Sequence, residues 1–473
     1  MKTTITLRKA MCVAATATAA LLAHTSAPTA QDAAAFDGSK ARVNLSNKLE
    51  MLTQTIGSAG CRINAGIGTD NATQELQVAR QQFNTIINGL ENGSAALGIP
   101  SPEANRVVLK SLKTVRDAWT PVEAAAATLS TGSGNASAAD AIANGNLPLL
   151  EATKILTSDI SGKYSNPNEL TQADAMALKI AGRQRMLGHR ITKEVCGIAS
   201  GSRAMGTTEN LGASLDMYSV SLGALRDGML DAGVNPPPND VIASELAAVS
   251  TDWQQTAPTL DLIRGGMSPS PENVESLSRV SAELTTDMSN VVTLYMLATP
   301  GQEEVYRVPL RAYAEAQLTG WIENAGLIDA IRAQNDAHAG LTQADIDQLD
   351  LDWRAQRKLD DQPLIDRLLS QPASEWLRAQ QSETANFVTE VFAMDNKGLN
   401  VAQSVETSDF WQGDEAKWQK TYGNGSGDIH ISEVEYDEST GTYQSQVSMP
   451  ISDPASGELI GAITFGINVQ SLL

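Results

Sequence analysis

The hydrophobic positions of residues 31–300 follow a helical period, broken at intervals by Gly/Pro/Asn loops such as GIPSP and GVNPPP. The pattern runs twice. Placing residues 44–61 over 179–196, at a constant offset of 135, sets Leu45 on Ile180, Met51 on Met186, Leu52 on Leu187, Ile56 on Ile191 and Cys61 on Cys196. The register continues through Leu76/Leu211, Phe83/Tyr218, Leu90/Leu225, Gly93/Gly228, Gly98/Gly233 and Pro102/Pro237. After one gap Trp119 falls on Trp253, and TSDIS (157–161) and TTDMS (285–289) close the two units. This predicts two tandem modules, 31–165 and 166–300, of four helices each, or of two long and two short ones. Antiparallel bundles with short connections bury such faces.

Beyond the Thr299-Pro300-Gly301 breaker the pattern changes. A long amphipathic helix is expected over about 305–336, and Thr342 with Asp345 makes a capping-box start for another over 343–358. Further helical pieces are expected near 362–382. The period then becomes two in FVTEVFAMD, LNVAQS, IHISEVEYD, TYQSQVSMPIS and ELIGAITFGIN, joined by NKG, ESTG and DPASG turns. A polar helix, SDFWQGDEAKWQKTY, is expected between the second and third runs. The reading for 301–473 is a five-stranded antiparallel sheet whose face is covered by the preceding helices. The fold class is thus mainly α, tandem helical-bundle modules followed by an α+β domain.

Composition sharpens this picture. Five of the seven Trp, namely Trp321, Trp353, Trp376, Trp411 and Trp418, lie after residue 300. The first 30 residues read as a secretory signal: a basic MKTTITLRK, an apolar AMCVAATATAALLA and small residues toward a cut around Ala27 to Ala30. Cys12 lies early in the apolar run with no lipobox before it, so no lipoprotein is expected. No later stretch is apolar for the roughly 18 residues a spanning helix needs, so the mature chain is expected to be soluble, exported and periplasmic. A formal charge of −21 repels nucleic acid and anionic lipid. Cys61 and Cys196 in an oxidising compartment suggest one disulfide; the alternative is two buried free thiols.

Catalytic and metal-binding patterns are absent. Past the leader the His residues are His189, His338 and His430, with no HExxH, GxxxxGK[ST] or GxSxG and no metal-type Cys/His spacing. No enzyme activity, cofactor or metal is expected.

One stretch stands out against the acidic background. AGRQRMLGHR (181–190) carries Arg183, Arg185, His189 and Arg190 with no carboxylate among them. Eleven positions separate Arg185 from Cys196, which places them about 20° apart on one helix face. Glu50 and Cys61 share that separation. If a Cys61–Cys196 bridge joins parallel helices in register, Glu50 faces Arg185 about 16 Å from the bridge. A partly buried Glu50–Arg185 salt bridge is then expected, where two arginines could have held an anion. The plainer reading is a solvated row of arginines.

AGRQRMLGHRI resembles the signature helix of the PilJ-type sensor family, the N-terminal domain of type IV pili methyl-accepting chemotaxis transducers. Nitrate/nitrite sensor kinases carry a related helix, in which one arginine from each of two parallel subunit helices grips an anion. The resemblance implies a periplasmic helical bundle for sensing. It assigns the anion role to Arg185, with Arg183 and Arg190 beside it, and sets Glu50 and Thr55 where the first repeat departs from the pattern. VFAMDNKGLNVAQS, TSDFWQGDEAKWQKTY and GAITFGIN resemble a single Cache (PDC-type) sensor domain. That resemblance implies a small ligand held by the segment after the second strand: Asp409, Phe410, Trp411, Gln412, Asp414 and Lys417. Trp418 serves equally well as a cover for the sheet.

The expectation is therefore a free periplasmic protein that binds a small molecule in its Cache domain. Because the sequence stops after the last strand, it would need a membrane-bound signalling partner. The helix 305–336 would couple pocket to bundle. The alternative is a non-catalytic envelope scaffold with vestigial pockets.

Overall fold

The computed structural model describes residues 38–94, 97–131, 135–164, 172–298, 306–384, 387–437 and 441–469. The expected leader (1–30) and the 299–301 boundary lie outside them. Eight long helices come first: α1 (Ser39–Ala65), α2 (Thr69–Asn92), α3 (Arg106–Leu129), α4 (Ala136–Tyr164), α5 (Gln172–Ser200), α6 (Thr208–Asp227), α7 (Asp240–Arg264) and α8 (Pro271–Ala298). They form two four-helix bundles, in each of which every helix packs on the next and the fourth returns to the first. The first helices of the two bundles, α1 and α5, also pack against each other.

The repeat holds in detail. Asn105 and Asn239 cap α3 and α7 by accepting backbone N–H groups of the first turn. Phe83 lies 4.2 Å from Trp119, and Tyr218 lies 3.9 Å from Trp253, ring centre to ring centre. Trp119 Nε1 donates to Asn84 and Trp253 Nε1 to Ser219, again the same position of the register. Gly98 and Gly233 take left-handed φ of 66° and 74° in matching turns, a backbone that side chains disfavour.

The C-terminal part departs from expectation at one helix. The amphipathic run over 305–336 does not stay whole. It comprises α9 (Arg307–Tyr313), a π turn (Ala314–Leu318), α10 (Thr319–Ile322) and, after a break, α11 (Ala325–Ala337). Asn324 causes the break: extended at φ −65°, ψ 121°, it caps α11 by accepting from Leu327 N. Next come α12 (Gln343–Gln356), opened by the Thr342/Asp345 capping box, then α13 (Pro363–Leu369) and α14 (Pro372–Ser382).

Five strands follow: β1 (Val388–Met394), β2 (Asn400–Gln403), β3 (His430–Asp437), β4 (Thr442–Ser452) and β5 (Leu459–Asn468). Their order is β2-β1-β5-β4-β3, antiparallel throughout. Both faces are covered. Phe465 meets Trp321 edge-on at 5.5 Å, while Phe392, Met394 and Ala462 lie under Trp418 and Tyr422. Trp418 thus serves as cover for the sheet, and its Nε1 donates to Asp395 O. The expected polar helix over 408–422 is mostly loop, with only α15 (Ala416–Trp418) and a π turn (Gln419–Gly423). Asn290 of α8 donates to Gly441 O at 3.0 Å and ties the sheet to the second bundle.

Candidate functional site

Helices α1 and α5 run parallel, joined near their C-terminal ends by a Cys61–Cys196 disulfide. One apolar core runs through both bundles, and buried polar groups interrupt it along the stripes where these two helices meet. Thr53, Gln54, Ser58 and Arg62 on α1, and Arg185, His189, Thr192 and Lys193 on α5, are all buried. From Arg185 to His189 is four residues and from His189 to Thr192 and Lys193 three and four, which keeps them on one side of the helix.

Arg185 is the extreme case. Its residue is 8 % exposed, and its guanidinium reaches Ser289 Oγ of α8 at 3.3 Å and Asn44 Oδ1 of α1 at 3.4 Å. No carboxylate pairs with it among the described residues. Burial lowers its pKa to about 10. Lys48 of α1 stands beside it, its pKa lowered to about 8 by burial and by the Arg185 charge. Two cations and two neutral oxygens therefore meet where three helices from both bundles converge.

The expected Glu50–Arg185 salt bridge is not formed. Glu50 looks into its own bundle, next to Thr157 and Lys154 of α4. Burial raises its carboxyl above the ordinary value, while Thr157, Lys154 and the Arg183 charge pull it back. The reason is rotational. Positions 50 and 185 are equivalent in the repeat, and each faces the fourth helix of its own bundle. Arg183 is exposed, and Arg190 pairs with Glu194 four residues on at 2.8 Å. Of the three arginines named from the motif, only Arg185 enters the seam. Sequence reasoning missed Asn44, Lys48 and Ser289. The repeat held one signal: Lys48 is the counterpart of Arg183.

Further along the seam, Lys193 donates to Asn146 Oδ1 at 3.0 Å. Burial lowers its pKa to about 8, with Glu194 opposing and Arg190 reinforcing. His189 Nε2 lies 3.2 Å from Thr285 Oγ1, and Arg62 binds Glu75 at 2.6 Å and also meets Ser278 of α8. Burial lowers the His189 pKa, against the pull of Glu75.

In the C-terminal part the residues expected to hold a ligand mostly bind one another. Asp409 receives Arg354 at 3.2 Å, Ser408 at 2.9 Å and Gln412 at 2.6 Å. Gln412 in turn receives Lys417 at 3.1 Å. Trp411 Nε1 donates to Lys397 O at 2.8 Å, and its backbone pairs with Leu399 as a bridge. Asp414 is exposed. Phe410 is buried and stacks on Trp353 at 5.3 Å. Its edge lines a cleft of about 340 Å³ between α11, α12 and α13. Gln334, His338, Arg367 and Gln371 supply polar groups there, among Leu349, Leu364 and Leu368. Of the six expected residues, Phe410 alone lines this cleft. Buried Asp395 anchors one side, accepting from His338 Nδ1 at 2.8 Å, Gln334 at 3.0 Å and the Lys397 and Leu399 amides of its own turn.

No helix among the described residues is long and apolar enough to cross a membrane, and no cluster of His, Cys, Asp and Glu there could hold a metal ion. Comparison with known families matches two segments, residues 34–144 and 169–275, to the family PilJ, described as type IV pili methyl-accepting chemotaxis transducer N-term. The second match contains Arg185 and the first contains Lys48. A search of curated proteins returns no match.

Proposed function

We propose that this chain, with two tandem segments matched to a chemotaxis-transducer sensory family, is an exported sensory protein that binds a small anion between its bundles. A membrane-bound signalling partner would read the occupancy. One observation carries the reading: buried Arg185 has only neutral partners and has a second cation, Lys48, beside it. Burying two like charges without a counter-charge is costly, and an anion at this point removes the penalty. A guanidinium fork suits a planar oxyanion such as nitrate or a carboxylate. Because α1, α5 and α8 all contribute, an anion here would couple the two bundles.

A thermal-shift titration with nitrate, nitrite and formate tests this. At a hundredfold excess over its dissociation constant, a specific ligand adds about 2.7 kcal/mol. The expected result is a saturable rise in Tm that disappears in Arg185→Met. No rise with any of the three, or a rise equal in the variant, refutes the anion site.

A second reading rests on the cleft lined by Gln334, His338, Arg367, Gln371 and Phe410. An apolar slot with a few convergent polar groups suits a small organic ligand, the class that the Cache resemblance implies for the neighbouring segment 409–417. Amino acids and organic acids are the probes. A flat screen at both places, with an envelope protein co-purifying, favours the scaffold alternative.

A further inference from the structure

The two bundles differ at one equivalent place, and the difference is one of charge. In the first bundle Ser111 of α3, the helix whose Trp119 stacks on Phe83, donates to Asp159 of α4. The carboxylate is satisfied within the bundle. In the second bundle the repeat register puts Glu245 where Ser111 stands, Asp252 where Ala118 stands, and Tyr218 where Phe83 stands. Asp287 takes the place of Asp159. Every change adds an acid or a hydroxyl, and the hydroxyl-to-carboxylate bond is lost.

The result is an unbalanced site on α6, α7 and α8. Among the described residues, no Lys or Arg pairs with Glu245, Asp252 or Asp287. The charges of Asp252, Glu245 and Glu283 all bear on Asp287, whose pKa rises to about 6, chiefly through burial. The Tyr218 hydroxyl is buried, in a residue 1 % exposed, and has no hydrogen-bond partner. Asp287 is the charged group that acts on it. A buried hydroxyl without a partner beside a carboxylate without a counter-ion marks a place for a missing group. The β3–β4 hairpin stands next to this place. Tyr443 of β4 feels the Glu245 charge, its ring lies 5.3 Å from that of half-exposed Tyr436, and the Asn290–Gly441 bond holds this end of the hairpin on α8.

We propose that Glu245, Asp252 and Asp287, with the Tyr218 hydroxyl beneath them and Tyr436 and Tyr443 at the rim, bind an organic ion carrying two or more ammonium groups. The carboxylates do not converge closely enough to ligate a metal ion. Glu245 and Asp252 stand two turns apart on one face of α7, about 10 Å along its axis, with Asp287 on α8, and such a separation suits amines joined by a short alkyl chain. Ammonium groups also gain from tyrosine faces. The site lies where the second bundle meets the sheet, so occupancy would fasten one to the other. It is independent of the anion seam and of the α11–α13 cleft.

Isothermal titration calorimetry on the full chain, with putrescine as probe and magnesium chloride as the ionic control, tests the site. The substitutions are those the first bundle already carries: Glu245→Ser and Tyr218→Phe, with Asp252→Ala as a third. The expected result is saturable one-site binding, weakened at least tenfold by Glu245→Ser and several-fold by Tyr218→Phe, and not displaced by magnesium at equal ionic strength. Absence of saturable heat overturns the proposal. So does equal affinity in folded Tyr218→Phe and Asp252→Ala proteins, or equal displacement by magnesium, which would reduce the site to diffuse negative charge. Far-UV circular dichroism identifies the folded variants, and Tyr218→Phe alone decides the matter if an acid substitution fails to fold.

Discussion

Glu50 and Arg185 occupy the same position in the two repeats yet form no ion pair. Arg185 reaches Ser289 on α8 at 3.3 Å, whereas Glu50 lies against Thr157 and Lys154 on α4. Reversing the charge in Glu50→Arg therefore adds a cation beside Lys154 rather than beside Arg185. The expected outcome is a loss of about 1 kcal/mol or more in urea denaturation, with nitrate binding unchanged. Gain of a new nitrate site would show that position 50 does face the seam.

The Cys61–Cys196 bridge closes a separation of 135 residues. On the chain-entropy account, a loop of that size is worth at most about 5 kcal/mol. A Cys61→Ser/Cys196→Ser protein should melt well below the wild type, and the difference should vanish when the wild type is reduced. Alkylation of the native protein followed by intact-mass measurement should find no labelled thiol at either position.

Lys193 is buried with an amide as its hydrogen-bond partner, and its pKa is lowered to about 8. The folded state thus releases this proton before the unfolded state does, whose lysine titrates near 10.5. Between those pH values the unfolded chain binds more protons, so stability rises with pH. Lys193→Met should flatten that rise and add about 2 kcal/mol at pH 7, where the wild type holds the charge in place. Denaturant midpoints at pH 7, 8.5 and 10 check both statements.

Lys48 makes the same kind of statement about binding. Its pKa of about 8 means that the seam carries two cations at pH 7 and loses one above it. Nitrate affinity should fall between pH 7 and 9.5 in the wild type. In Lys48→Met it should be lower throughout and nearly independent of pH over that range. Calorimetric titrations at both pH values read the difference directly.

Asp395 is buried and accepts hydrogen bonds from His338, Gln334 and two amides of the β1–β2 turn. Asp395→Ala leaves those donors unpaired in the interior and should cost about 3 kcal/mol. Asp414→Ala, at an exposed position in the same part of the chain, should be silent. Paired thermal melts separate the two.

Helical periodicity, the offset of 135 between repeats and the Asn/Gly/Pro turns of the five strands could all be read along the chain, because they depend on local spacing. The pairing of Cys61 with Cys196 followed from their count and from the expectation of an oxidising compartment. The break at Asn324 was less legible, since an apolar helical period continues across it while a local cap decides it. The loop residues Asp409, Gln412 and Lys417 have the chemistry of a ligand site, but each of their polar groups found a nearer partner inside the protein.

By itself the sequence determined the helical run before residue 300, the five strands after it, and that one unit occurs twice. Only the tertiary structure decided which way each equivalent side chain looks. A turn of 100° per residue makes the choice of neighbouring helix sensitive to how the bundles rotate against each other. That rotation is set by the packing of α1 on α5, α4 on α1 and α8 on α5 together. It sends Glu50 into its own bundle, leaves Arg185 and Lys48 together at the seam, and sets Tyr218, Glu245 and Asp287 where the first bundle has Phe83 and the Ser111–Asp159 hydrogen bond.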